Sequence, residues 1–296
     1  MSITHTSFAA GPSLDGNKGF HRRMAFAAMK NTPYYPSQYD SRFHDLPINI
    51  AAIMNTGDVD AVCAALAAHP RHVADTALFR AAQFNQAGLI APLVERSKAN
   101  VNAVDPRQDD TPLHVAANQR AVETVQALLS AGATLKNNNC GNSPLMVAVH
   151  QLVWQNLPGR ALATITALLT AGYMHSRNIW NEETPLTFAV GQGNQEVVKL
   201  LLDAGAPINS PAKVPFYSRP GDAPTGFRAP LHAAAEKGNK AMVNLLLAAG
   251  ADPNCRDKRG RTPLHYAAKY DNSCCSLLIA AGADVRAYDS DYKFAH

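Results

Sequence analysis

Apolar positions recur along this chain in pairs of short runs, each pair spaced as two helices and followed by a polar stretch rich in Asp, Asn and Gly. Residues 229–261 show the unit most clearly. Pro230-Leu231-His232-Ala233-Ala234-Ala235 predicts a helix that begins at proline, where the missing N–H has no helical partner to lose. Leu231, Ala234 and Ala235 form one small apolar face that lets helices approach closely. Gly238-Asn239 then turns the chain. Met242, Val243, Leu245, Leu246 and Leu247 mix i, i+3 and i+4 spacing, which predicts a second helix. Gly250 closes that helix as a left-handed C-terminal residue. Asp252-Pro253-Asn254 and Asp257-Lys258-Arg259-Gly260 read as a hairpin-like finger that leads into the next unit.

The start of that unit is repeated. Thr111-Pro112-Leu113-His114 and Thr262-Pro263-Leu264-His265 match in full; Ser143-Pro144-Leu145, Thr184-Pro185-Leu186 and Ala229-Pro230-Leu231-His232 match in part. Consecutive prolines lie 32, 41, 45 and 33 positions apart. The Thr or Ser before proline can cap the first turn. A period near 33 residues carrying Thr-Pro-Leu-His-x-Ala resembles the ankyrin-repeat family. Two degenerate units precede these, aligned on Pro47-Ile48-Asn49-Ile50-Ala51-Ala52 and Ala77-Leu78-Phe79-Arg80-Ala81-Ala82. The resemblance implies an all-α solenoid of about seven helix–turn–helix repeats with finger loops. Their expected bounds are 45–74, 75–110, 111–142, 143–183, 184–228, 229–261 and 262–296. One unit cannot bury its apolar faces alone, so neighbours must stack into a single array. The last repeat is one residue short, and its second helix begins with polar Asn272 and Ser273, as suits a terminal unit. Residues 1–44 do not fit the repeat and are expected to form a flexible arm or a cap, with 20–29 compatible with a short helix.

Two insertions interrupt the spacing. The fourth repeat carries eight extra residues, expected between its helices within residues 150–160, and they include Trp154. Trp154 either packs down with Leu152, Val153 and Leu157 as a local lid or projects as a partner anchor. Twelve further residues enter the finger after the fifth repeat, with Pro211, Pro215, Pro220 and Pro224 around Phe216 and Tyr217. So many prolines reject a helix or a central strand and predict a stiff, partly extended loop. That loop is either a partner contact or a tolerated insertion.

Composition narrows the function. A net charge of +4 over 296 residues gives no case for nucleic acid without a concentrated patch. The densest cluster is Arg256, Lys258, Arg259 and Arg261 on the sixth finger, with Arg228 one finger earlier. It reads either as a solvated fingertip or as a dock for an acidic surface. No apolar stretch reaches membrane-spanning length, and no start resembles a secretion signal. Five unevenly spaced cysteines suit a reducing compartment such as the cytoplasm and offer no zinc spacing. Neither a nucleophile elbow, a phosphate-cradling Gly-rich loop nor a His-Glu-x-x-His helix is present. The expectation is therefore no enzyme, no cofactor and no metal. The motif histidines His114, His232 and His265 are expected to hydrogen-bond neighbouring loops rather than to catalyse or ligate.

The resemblance implies protein binding on a concave face made by the fingers and the exposed sides of the first helices. The positions just before the Thr-Pro motif and just after the Ala-Ala pair are the ones expected there. They supply Arg107, Gln108, Asp110, Asn118, Gln119, Trp180, Asn181, Glu183, Gln192, Glu236, Lys237, Lys258, Arg259, Arg261, Lys269 and Tyr270, with Phe84 and His150 at equivalent places. Aromatics and arginines dominate binding hot spots, which makes Trp180 and Tyr270 the leading anchors beside Arg259 and Arg261. Arg228, Phe216, Tyr217 and Trp154 complete the candidate set. The expected function is a scaffold capturing one or more partner proteins, with a monomer favoured. A polar arm without a signal peptide, joined to such repeats, suggests a bacterial effector acting in a host cell. The alternative is a bacterial cytoplasmic neutraliser of a toxin or enzyme.

Overall fold

The Thr-Pro-Leu-His element starts a helix through side chains as well as proline geometry. In the third repeat the backbone N–H of Thr111 donates to Nδ1 of His114 at 3.1 Å, which satisfies a donor at the helix start. In the fifth repeat Thr187 replaces the histidine; its hydroxyl accepts the Thr184 N–H at 3.0 Å, and the Thr184 hydroxyl accepts the Thr187 N–H at 3.1 Å. The computed structural model describes residues 46–134, 136–154, 158–172, 183–210, 228–270, 272–290 and 294, without the side chains of 153, 154, 158 and 272.

Fourteen α-helices follow in seven pairs among the described residues. They are α1 (Ile48–Thr56) with α2 (Val59–Ala67), α3 (Arg71–Gln83) with α4 (Ala87–Glu95), and α5 (Pro112–Gln119) with α6 (Val122–Ser130). Next come α7 (Pro144–Trp154) with α8 (Pro158–Thr170) and α9 (Pro185–Gln192) with α10 (Gln195–Asp203). The last pairs are α11 (Pro230–Glu236) with α12 (Lys240–Ala248) and α13 (Pro263–Tyr270) with α14 (Cys275–Ala280), the latter preceded by a 3₁₀ turn at Asn272–Cys274. First helices α3, α5, α7, α9, α11 and α13 pack in succession, as do second helices α2, α4, α6, α8 and α10. The shared core is the predicted stripe: Leu113, Ala116, Leu128, Leu145, Leu168, Leu201, Leu231, Leu246 and Leu278 are each no more than 1% exposed. Repeat packing is thus continuous through the array.

The fingers are built by their own acidic and amide side chains. Asp257 accepts the N–H groups of Arg259 (2.8 Å) and Arg261 (2.9 Å), while its own N–H donates to the Arg261 carbonyl (3.0 Å). Asp105 likewise accepts from Arg107 at 2.8 Å, and Asn138 from the Asn142 N–H at 2.9 Å. Asparagines clamp several finger bases to the next helix end. Asn254 accepts the Asp284 N–H at 2.7 Å and donates to the Gly282 carbonyl at 2.9 Å, and Asn102 accepts the Thr134 N–H at 2.8 Å.

Two features differ from expectation. The eight inserted residues of the fourth repeat do not form a loop between its helices. Relative to the third repeat they add three residues to the first helix and four to the second, leaving only 155–157 between α7 and α8. Leu152 and Ala161 are buried, so extending the helices supplies apolar packing that a loop could not. Secondly, α3 begins at Arg71 after Pro70, not near Ala77, so α2 and α3 are joined by three residues and no finger separates them. Val73 and Ala74, at 6% and 3% exposed, anchor the extra turns.

Candidate partner-binding face

The C-terminal ends of the first helices place two residues per repeat side by side along the array. The first of each pair runs Gln83, Asn118, His150, Gly191, Glu236 and Lys269; the second runs Phe84, Gln119, Gln151, Gln192, Lys237 and Tyr270. Side chains of the second set reach back to the first set of the preceding repeat. The Gln151 amide donates to Asn118 Oδ1, and the Lys237 ammonium donates to the Gly191 carbonyl. Phe84 is 53% exposed with the Arg80 guanidinium 4.8 Å from its ring centroid. Lys237 and Lys269 are exposed, and Tyr270 is half-buried. Along this row Phe84, Lys237 and Lys269 are exposed and Gln119, Gln192 and Tyr270 partly so, whereas Asn118 and Gln151 are buried.

Beneath its last two repeats lies a polar cluster centred on Tyr266. Arg228 is 2% exposed, donates to Glu236 at 2.6 Å, and lies 4.3 Å from the Tyr266 ring centroid. The Arg261 guanidinium lies 4.7 Å from the same ring. The Tyr266 hydroxyl donates to Asp257 at 2.7 Å, and Arg261 Nε donates to the same carboxylate at 3.1 Å. Tyr270 stacks on Tyr266 with centroids 6.2 Å apart, and Lys269 donates to the Tyr270 hydroxyl at 2.9 Å. Burial pushes the Asp257 carboxyl up, but the Tyr266 hydroxyl, the finger N–H groups and Arg261 overcome it and hold the group below its usual range.

Sequence-predicted residues therefore separate into surface and core. Arg107, Lys237, Lys258 and Arg259 are exposed as expected, Arg107 on the finger that precedes α5. Arg228 is not a fingertip cation: it is an interior residue whose charge is met by Glu236. Arg261 and Glu236 are mostly withdrawn, at 12% and 21% side-chain exposure. Asp110, Asn118 and Glu183 are also buried, at 0%, 6% and 5%, against the expectation that they line the surface. For Asp110 and Glu183 the cause is register, since the residue directly before the helix cap closes the finger and turns inward. Asp110 there accepts from Asn138 of the next finger at 2.7 Å. Asn118, near the end of α5, is covered by Gln151 of the next repeat. Trp180, Phe216 and Tyr217 lie outside the described residues, as does the Trp154 side chain. Sequence reasoning missed Tyr266 altogether; its signal was the phenol standing where other repeats carry Ile, Arg, Val, Phe or Ala between the histidine position and the alanine pair.

The histidines behave as structural side chains. His114 Nε2 donates to the Asn142 carbonyl at 3.0 Å and His232 Nε2 to the Arg261 carbonyl at 3.0 Å, each tying a first helix to the next finger. Because Nδ1 accepts a backbone N–H in both, the ring is neutral with its proton on Nε2. Burial lowers His114 and takes His232 and His150 down to about 4. Folding does bring a Cys/His pair together, with Cys255 Sγ 3.7 Å from His232 Nδ1. Burial pushes that thiol up to about 12, so the pair stays neutral and lacks the thiolate that nucleophilic chemistry needs. Among the described residues no three His, Cys, Asp or Glu side chains converge as metal ligands, and no helix is long and apolar enough to cross a membrane.

Known proteins share this pattern. A family model described as ankyrin repeats (3 copies) matches residues 48–139, 78–157 and 217–289, and one described as ankyrin repeat matches 181–213. The chain is similar to the crystal structure of the ankyrin repeat domain of Bcl-3, a member of the IkappaB protein family. The TM-score is 0.61 and the identity 25%, over 74% of this chain and 91% of that one. It is also similar to the human ASB11 ankyrin repeat domain, with TM-score 0.52 and identity 26% over 74% of this chain and 89% of that one.

Proposed function

Because the chain belongs to the ankyrin-repeat family, we propose that it is a non-catalytic scaffold capturing a partner protein on the face formed by its fingers and first helices. The observation that carries this reading is the row of equivalent positions from Phe84 to Tyr270, where Phe84, Gln119, Gln192, Lys237 and Tyr270 reach solvent at the ends of stacked first helices. The buried, neutral state of His114, His232 and Cys255 supports a binding role over a catalytic one. Trp180 and Tyr270 serve as anchors, with Arg107, Lys237, Lys258 and Arg259 around them, and Trp154, Phe216 and Tyr217 contributed by the two insertions. The protein acts as a monomer.

Trp180→Ala combined with Tyr270→Ala is expected to weaken partner capture at least about tenfold, since hot-spot aromatics each carry roughly 2 kcal/mol or more. Thermal unfolding should stay nearly unchanged; equal capture by the double variant moves the interface elsewhere. The partner lies in a host cell into which the protein is delivered, a reading that rests on the composition of residues 1–44. Removing residues 1–40 then abolishes delivery while the repeats stay folded, and unchanged delivery sinks it.

A further inference from the structure

Hydrogen bonds between successive repeats tie the row along the first-helix ends together on either side of its middle. The Gln151 amide donates back to Asn118, and the Lys237 ammonium donates back to the Gly191 carbonyl. The intervening step, from Gln192 to His150, is left open, and the buried Nε2 of His150 has no partner. At this same step the row loses a side chain. Gly191 is the penultimate residue of α9 and stands where other repeats carry Gln, Asn, His, Glu or Lys. Its backbone lies outside the left-handed region, and a Cβ built on it would meet no heavy atom within 4 Å. Neither backbone conformation nor close packing calls for glycine here, although glycine weakens a helix relative to alanine. The result is a notch in the middle of the face.

The notch has walls of definite chemistry. The His150 ring lies on Phe188, with centroids 4.1 Å and planes 35° apart. Phe188 stands three residues before Gly191 on α9, so this aromatic pair borders the gap on the same helix face. Phe188 is buried, whereas His150 is half-buried and keeps part of its ring at the surface. Gln192 brings a partly exposed amide to one rim, and the Lys237 ammonium sits on the other. A flat ring is the shape that packs against an imidazole, and its negative face suits an ammonium. An amide suits a hydroxyl or N–H at the ring's edge.

We infer that the notch at Gly191, between the His150 ring, the Gln192 amide and Lys237, takes one tyrosine or tryptophan side chain of the partner protein. This rests on the reading of the chain as a protein-binding scaffold and adds the chemistry of what the middle of its face receives. Glycine is kept at this position for room rather than for structure, at the expense of helix stability.

The test titrates the full chain with p-cresol and 3-methylindole, the side chains of tyrosine and tryptophan, and with 4-methylcyclohexanol as a saturated probe of similar size. Nuclear magnetic resonance follows the Gly191 amide and the His150 ring protons. Both aromatic probes should shift these signals with dissociation constants on the order of millimolar, as expected for ligands of so few atoms. The saturated probe should bind at least about tenfold more weakly. Gly191→Leu, which fills the notch, should weaken the aromatic probes at least about tenfold. Gly191→Ala should raise the thermal unfolding midpoint by roughly 2 °C, because alanine is the better helix residue. Absent shifts at both signals, equal binding of the saturated probe, or unchanged binding by Gly191→Leu would each overturn the inference. A lower midpoint for Gly191→Ala would overturn it too, by making the glycine a structural requirement. None of these results touches the scaffold reading, which stands or falls with partner capture by the Trp180→Ala, Tyr270→Ala variant.

Discussion

His232 is neutral because burial removes the water that would stabilise its charged form, and because Nδ1 already accepts a backbone N–H and has no free lone pair for a proton. The sign of the resulting pH dependence follows. The unfolded chain takes up a proton near pH 6.5 whereas the folded chain waits until about 4, so the unfolded state binds more protons in between. Stability is full above about pH 6.5 and erodes as pH falls toward 4, and His150 adds to the effect in the same window. Urea unfolding midpoints measured across that range should decline on acidification, and less steeply for His232→Gln. An equal slope in the variant would assign the loss to other groups. At the same scale Tyr266→Phe should cost about 1.5–3 kcal/mol, because it strips a hydroxyl donor from the buried Asp257 carboxylate. Calorimetry reads this directly, and a loss below about 0.5 kcal/mol would mean that Arg261 alone suffices. The motif histidines were legible in the sequence, their roles fixed by repetition. Arg228 was not. A cation in a charged finger reads as exposed until the register shows that the residue before the cap turns inward, as Asp110 and Glu183 also do.

Arg120 illustrates how an element can carry local strain without losing its place in the pattern. It closes α5 with φ 57, a left-handed conformation that Gly193 supplies without penalty after α9. Relief of ~1–2 kcal/mol of side-chain strain exceeds the ~0.4–1 kcal/mol lost to the greater freedom of unfolded glycine. Arg120→Gly should therefore stabilise by roughly 0.5–1 kcal/mol, measured as a higher denaturation midpoint. A lower midpoint would show that the arginine side chain contributes more than its backbone costs. Helix pairs, turns and closing glycines were legible here because each reports a local requirement. The length of α7 and α8 was not, since counting residues between two landmarks finds an insertion without revealing how it folds. Leu152 and Ala161 decided that, by offering apolar positions that continue the stripe. The early start of α3 was hidden for a related reason: the repeat motif is degenerate at Ala77, whereas Pro70, which sets the helix start, stands outside the pattern.

Across the whole molecule, stability is distributed through nearest-neighbour contacts, and binding is distributed along a row that those contacts align. Leu113 is fully buried where α5 meets its neighbours, so Leu113→Ala should cost about 2–5 kcal/mol and loosen the adjoining pairs first. Hydrogen exchange would show that spread, and uniform loosening from end to end would indicate a more cooperative array. The solenoid was legible because its ruler is written five times in the chain. The face was legible in outline only, because exposure follows from register within a finger, as exposed Arg259 and withdrawn Arg261 two residues later show. The central claim is that a partner sits on the finger and first-helix face and not on the second helices. Its most direct measurement places a photo-crosslinking amino acid singly at Gln119, Lys237, Gln126 and Lys199, the last two exposed on α6 and α10. Irradiation with the captured partner should give adducts at 119 and 237 and none at 126 and 199. Adducts confined to 126 and 199 would contradict the account.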